Sequence, residues 1–452
     1  MTETMTDPVA INASSNDDVA VPLPQVCDIL IIGGGPAGST AGALLAQQGF
    51  KVVLLEKAIH PRFHIGESLL PANMPLFEKL GVQDKIAAIG MPKWGVEFNT
   101  PDGGLQTHLE FAEAWDKNLP YSYQVRRSDF DYVLIQNARE KGADVVEACR
   151  VREVQFAEKN VQIKAQCDDG SARHYIADYV IDASGRDTFL ANQFKCKEKN
   201  RKHNSSAIYS HFSGVERYEG KRAGDISIFW FEHGWFWQIP LADGTTSIGA
   251  VCWPAYLASR KVSVEQFLMD TIALAPKLQQ RMQNAVRVGK VEATGNYAYS
   301  SSKSHAKRCL LLGDAYAFLD PVFSSGVFLA MESAFVGSEV VTTCLRQPQK
   351  AARALARFDR HMRRGPSVFS WFIYRVTNPV MRTLFLNPRE FLHTKSSVMS
   401  VLAGDIFYNR AVWPSLYVFK MIYYLNSLFT PLRTFNAWRR RKINIQDAEI
   451  AS

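Results

Sequence analysis

Paired cysteines are missing from this chain. Its seven cysteines, at 27, 149, 167, 196, 252, 309 and 344, are an odd number scattered over 452 residues without a Cys-x-x-Cys spacing. That pattern suggests neither a disulfide framework nor a zinc site, so no metal is expected and the reading is a reducing, cytoplasmic setting. Long apolar runs are missing as well. No charge-free apolar stretch is long enough to span a bilayer, so no membrane-spanning helix is expected. Bases are absent from residues 1–24, which hold Glu3, Asp7, Asp17 and Asp18. With no basic segment ahead of an apolar one, that stretch reads as a disordered leader and not as a secretory signal. Its four acids leave the rest of the chain at +12 against a total of +8. The excess suits an anionic cofactor or an acidic partner, although solubility alone accounts for it, and no nucleic-acid partner is expected.

Glycine is present at one telling spacing. The apolar run Cys27–Ile32 ends in Gly33-Gly34-Gly35-Pro36-Ala37-Gly38, a helix-like segment follows, and a second apolar run, Val52–Leu55, closes on Glu56. Strand, glycine turn, helix, strand and acid together make a Gly-x-Gly-x-x-Gly dinucleotide unit. Gly33 permits the turn, Gly35 lets a pyrophosphate approach the backbone, and Gly38 allows helix and strand to pack. A pyrophosphate is favoured at such a helix start by free N–H groups and the helix dipole. Glu56, placed one helix and one strand beyond Gly38, suits a ribose hydroxyl.

Further along, residues 57–71 read as a loop carrying His64, Glu67 and Ser68, and Asn73–Leu80 as a helix ending at Gly81. A helix is expected from Ser128, as N-cap, to Lys141-Gly142. Strands are expected at 145–148, 161–165, 179–182, 226–231, 246–251 and 309–312. Trp235, Trp237 and Ile239 alternate along a strand and so share one face, a core or pocket wall. A helix is expected over 328–345. Beyond 351 the chain is helical, basic and aromatic. It reads first as core helices with a solvated end, while a basic aromatic tail could also touch a membrane surface or an acidic carrier protein.

The glycine motif through Ser39, followed by His64-Ile65-Gly66-Glu67-Ser68-Leu69-Leu70-Pro71, resembles the FAD-dependent halogenases within the aromatic-hydroxylase-type flavoproteins. Two later motifs resemble the family's own signatures. They are Trp235-x-Trp237-x-Ile239-Pro240 and Phe318-x-x-Pro321-x-x-Ser324-x-Gly326. The resemblance spans about residues 27–345. It implies an α/β fold with a Rossmann-type FAD-binding domain (25–199 and 291–350), an inserted β-sheet substrate domain (200–290) and a helical C-terminal extension (351–442). Segments 1–24 and 443–452 are expected to be disordered.

The resemblance also implies roles. FAD would meet Gly33, Gly35, Ala37, Gly38, Glu56, Lys57, Gly66, Glu67, Ser68, Arg127, the Gly313-Asp314 pair and the helix start at Gly326-Val327. Lys93, in a stretch similar to the family's Lys-x-Gly-x-x-Phe, would be the catalytic lysine that delivers electrophilic halogen. Ser325 and Gly326 would hold chloride or bromide. Trp235, Trp237, Ile239, Pro240, Phe318 and Pro321 would wall the way to the substrate. A separate flavin reductase would reduce the FAD, oxygen would be consumed, and an electron-rich phenol, pyrrole or aryl-polyene-like ring, free or on a carrier protein, would be halogenated in secondary-metabolite or pigment biosynthesis. Tryptophan halogenases carry a glutamate where this chain has Phe323, which argues against free tryptophan. Two alternatives remain: a flavin monooxygenase that hydroxylates a ring, and a non-catalytic flavoprotein subunit of a biosynthetic assembly.

Overall fold

The computed structural model describes residues 23–450 apart from 201, 296 and 297, with side chains as far as 443. The two apolar runs around the glycine turn form neighbouring parallel strands, with Ile29–Ile32 in register with Val52–Leu55. On the other side the first strand pairs with Ala172–Asp182. The sheet runs His305–Ala306, Cys309–Leu311, Ala172–Asp182, Gln25–Ile32, Val52–Leu55, Asp144–Val146, parallel except at its first member. Its central strands are buried on both faces, as parallel strands covered by helices must be. Helices Pro36–Gln47 and Gly326–Arg346 pack on each other across it. The latter is long and apolar enough to cross a membrane, yet most of it is buried inside the protein. A hairpin, Cys149–Phe156 with Val161–Cys167, extends the sheet in antiparallel fashion. It sets the free thiols of Cys149 and Cys167 side by side, a proximity that their spacing in sequence does not suggest.

A second sheet runs Val286–Arg287, Ser206–Ser213, Thr246–Cys252, Gly234–Pro240, Ile226–Phe231, Gly95–Asn99, Gln106–Glu110. Its faces follow the alternation of its residues. Phe229, Phe231, Phe236 and Ile248 pack under helix Val264–Ala273 in one cluster, while Trp230, Trp235, Trp237 and Ile239 belong to the main core. This sheet begins earlier in the chain than the expected boundary at 200. Strand Gly95–Asn99 lies parallel to Ile226–Phe231, joined by a buried knot in which Glu97 accepts from Asn99, Ser227 and Arg281. The knot is formed by side chains distant in sequence, so no local pattern announces it.

Five helices follow: Ala351–Ile373, Pro379–Leu386, Thr394–Ala403, Val412–Phe429 and Pro431–Ile450. The last occupies most of the segment expected to be disordered from 443. Residues 1–22, most of the expected leader, lie outside the described residues. The helix over 127–140 starts one residue before Ser128, with Arg126 as its N-cap, and the Ser128 hydroxyl turns to Asp129 instead of capping.

Candidate functional site

Four strands of the first sheet end at the same place. After Ile32 come Gly33-Gly34-Gly35, after Leu55 comes Glu56, after Asp182 come Ala183-Ser184, and after Leu311 come Leu312-Gly313-Asp314. The carboxyl ends of parallel strands are where open α/β sheets bind ligands. Gly33 sits at φ +101°, and a Cβ at Gly38 would lie 1.9 Å from the Gly33 carbonyl oxygen, so helix and turn interlock only with glycine at both. Gly35 differs. A Cβ there meets only the Arg62 guanidinium, at 3.8 Å, because that side of the turn faces open space. Glu56 braces the turn, accepting from Gly34 N at 2.6 Å and Ala58 N at 2.9 Å. Among the described residues, no side chain caps the helix that begins at Pro36.

Facing the turn is a buried cation. Arg127 forks onto Asp131 at 2.9 and 3.0 Å and donates to the Ile65 carbonyl at 2.9 Å. Burial would raise the Asp131 carboxyl, but Arg127 holds it below the usual range. The same guanidinium, with burial, lowers His64 to about 4. Glu67 is bound by His211 Nε2 at 2.7 Å, both buried. Asp314 stands at the cavity wall, where burial pushes it up to about 6.

The far wall comes from the second sheet. Trp235 and Trp237 lie with ring centroids 6.0 Å apart. The Trp237 ring lies on Gly249 of the next strand, where a Cβ would overlap it at 2.2 Å, and its Nε1 donates to Ser247 at 3.1 Å. Opposite, Ser324 adopts φ +54° and turns the chain into helix Gly326–Arg346, whose start also has no side-chain cap among the described residues. Asp320 anchors that turn, accepting from Val322 N at 3.2 Å, from Ser205 at 2.7 Å and from His203 at 3.0 Å. Phe323 points elsewhere, into a ring cluster with Phe369, Phe372 and Phe385.

Lys93 is fully buried at the end of strand Met91–Lys93. Its Nζ donates to Ser68 Oγ at 3.0 Å and to the Leu69 carbonyl, and lies 5.1 Å from the centre of the Phe111 ring. Desolvation lowers its pKa from the ordinary 10.5 to about 7, against a weaker upward pull from Asp225. Asp225 is engaged elsewhere, by Trp94 N, Gly95 N and His108.

One cavity of about 450 Å³ joins these parts, running from Gly35, Glu56 and Lys57 to Trp235, Trp237 and Pro321. Of the residues expected at the site, Gly33, Gly35, Ala37, Glu56, Lys57, Gly66, Glu67, Ser68, Arg127, Trp235, Trp237, Ile239, Asp314, Phe318, Pro321, Gly326 and Val327 line it. Gly38, Gly313, Pro240, Ser325 and Lys93 do not. Ser324 stands at the wall in place of Ser325, and Ser68 stands between Lys93 and the space. An open cradle at Gly35 and two uncapped helix starts in one cavity are what a dinucleotide flavin requires.

The model of the FAD binding domain family matches residues 26–348. A tryptophan 2-halogenase of Chondromyces crocatus is 31% identical over 396 residues, covering 85% of this chain and 74% of that protein. The 1H-pyrrole-2-carbonyl-[peptidyl-carrier protein] chlorinase of Pseudomonas fluorescens is 28% identical, covering 84% and 89%. Among solved structures, the myxobacterial chondrochloren halogenase superposes with a TM-score of 0.74 at 29% identity, covering 86% of this chain and 99% of that one. The chain belongs to the flavin-dependent halogenases. It is an FAD-dependent oxidoreductase. In this halogenase, sequence reasoning passed over Arg62, which lies 3.9 Å from Glu56 and 3.5 Å from Asp131 beside the open face of Gly35. An arginine in the loop after Glu56 was the available signal.

Proposed function

We propose that this halogenase places chloride or bromide on an electron-rich phenol or pyrrole, with reduced FAD arriving from a separate flavin reductase. The observation that carries the reading is Lys93, a fully buried amine behind Ser68 at the wall of the cavity that also contains the dinucleotide cradle. Residues of the glycine turn, with Arg62 and Arg127, would hold the FAD. When bound and reduced, FAD supplies oxygen activation, the oxidising power that converts halide into an electrophile. The backbone around Ser324 to Gly326, at an uncapped helix start, favours a halide by its partial positive charge. Lys93 Nζ, with a pKa near 7, offers a lone pair to hold electrophilic halogen or, once protonated, a hydrogen bond to hypohalous acid. Its hydrogen bond to Ser68 orients it. Trp235, Trp237 and Ile239 exclude water from the path to the ring.

Phe323, committed to its aromatic cluster, leaves no carboxylate at that position to serve an indole N–H, which supports phenol or pyrrole over free tryptophan. The similarity to a carrier-protein chlorinase supports including a carrier thioester among the substrates. The test is purified protein with FAD, a flavin reductase and bromide or chloride, offered phenols, pyrrole-2-carboxylate free and carrier-bound, and tryptophan, with products read by mass spectrometry. Halogenated phenol or pyrrole without halotryptophan is expected. Oxygenated product independent of halide would make the protein a hydroxylase, and FAD binding without turnover a non-catalytic subunit.

A further inference from the structure

The last two helices present an unusual surface. Helix Val412–Phe429 buries Leu416 and packs Phe419 and Tyr423 against Trp371 and Phe372. A surface helix would then turn polar side chains outward. This one instead exposes Tyr417, Met421, Leu425 and Leu428, which recur at helical spacing on the outer side. The apolar surface continues past Pro431. Leu428, Phe429 and Leu432 are 73, 83 and 78% exposed, and Phe435 and Trp438, in ring contact, are more than half exposed.

Charge within this stretch of sequence has one sign. From Ile406 to Gln446 there is no Asp or Glu, whereas Arg410, Lys420, Arg433, Arg439, Arg440, Arg441 and Lys442 fall in the same span. Part of that charge is built into the body. Arg441 donates to the carbonyls of Tyr374 and Lys202, and Arg440 lies 3.6 Å from Glu232. These contacts fix the last helix on the protein while Arg433, Arg439 and Lys442 stay exposed beside the apolar residues. Lys442 lies 5.2 Å from the centre of the Trp438 ring, which pairs a base with an amphipathic aromatic.

We infer that this face docks on an anionic lipid bilayer, its leucines and phenylalanines entering the headgroup boundary and its arginines and lysine meeting lipid phosphates. The chemistry is that of interfacial helices, which combine Leu, Phe and Trp on one side with bases and carry little or no negative charge. A second copy of the chain would set Arg433, Arg439 and Lys442 against the same three bases, with no acid between Ile406 and Gln446 to pair them. A soluble acidic protein answers the charge but leaves a ridge of flexible leucines that a charge-rich surface does not fill.

The test uses the full FAD-loaded chain in vesicle flotation, comparing phosphatidylcholine alone with phosphatidylcholine containing phosphatidylglycerol at about one third. Binding is expected to be about tenfold or more stronger on the anionic vesicles and to weaken with salt. Leu428→Ser with Phe429→Ser and Leu432→Ser should abolish it at every salt concentration. Arg433→Gln with Arg439→Gln and Lys442→Gln should remove only the preference for anionic lipid. FAD content and melting temperature establish that each variant is folded. Three results would overturn the inference: no flotation of the folded wild type, a concentration-dependent dimer that the serine variant dissolves, or salt-sensitive capture by an acidic carrier protein without vesicle binding.

Discussion

Lys93 places a base in a fully buried site. Strand Met91–Lys93 pairs with Ser122–Gln124, and the side chain runs inward to Ser68, Leu69 and Phe111. Desolvation outweighs the charge of Asp225, so the folded protein prefers the neutral amine, with a pKa near 7 against an ordinary 10.5. The unfolded chain therefore binds the extra proton between about pH 7 and 10.5, and this residue makes stability rise with pH across that window. At pH 7 and below its cost is full. Lys93→Met keeps the shape without the charge and should raise the melting temperature at pH 7 by about 2–4 °C or more. The gain should shrink as pH approaches 10. Thermal melts of both proteins from pH 6.5 to 10 check this, and a gain that does not change with pH would mean that Lys93 is charged in the folded state. None of this was readable from a lone lysine among 52 basic residues, since burial is imposed by segments distant in sequence. Only the likeness to the family's motif singled the residue out.

At the scale of elements, the glycine turn was legible because all its determinants are local: strand, turn, helix and acid follow one another without interruption from Gln25 to Glu56. Its glycines nevertheless do different work. Gly38 serves the packing of helix on turn, whereas Gly35 faces the cavity. Gly35→Val should leave the melting temperature of the apoprotein nearly unchanged and weaken FAD by about tenfold or more, about 1.4 kcal/mol. Gly38→Ala should lower the melting temperature itself. Fluorescence titration of FAD beside apoprotein melts separates the two, and unchanged FAD affinity in Gly35→Val would remove the pyrophosphate from this turn. The tryptophan wall was legible for the same local reason, through the alternation of 235, 237 and 239. The second sheet was not. Strand Gly95–Asn99 finds its partner far along the chain, at Ile226–Phe229, and such pairing depends on Glu97 and Arg281 meeting in the folded protein. The exposed face of helix Val412–Phe429 was hidden for a related reason: a helix with apolar residues on both its covered and its outer side does not declare which side is covered.

Over the whole molecule, the two sheets meet at one cavity. The first sheet contributes the glycine cradle and the second sheet the aromatic wall, while Lys93 stands behind Ser68, so in the proposed reaction flavin oxidation and halogen transfer are separable by position. Losing the amine should leave the cradle, Arg127 and the uncapped helix start at Gly326 as they are. The most direct test is Lys93→Met assayed beside the wild type with FAD, a flavin reductase, bromide and an accepted phenol, following flavin reoxidation and brominated product together. Unchanged FAD binding and reoxidation with product lowered by at least about 100-fold is the expected result. Brominated phenol formed at the wild-type rate would contradict it and remove Lys93 from the reaction.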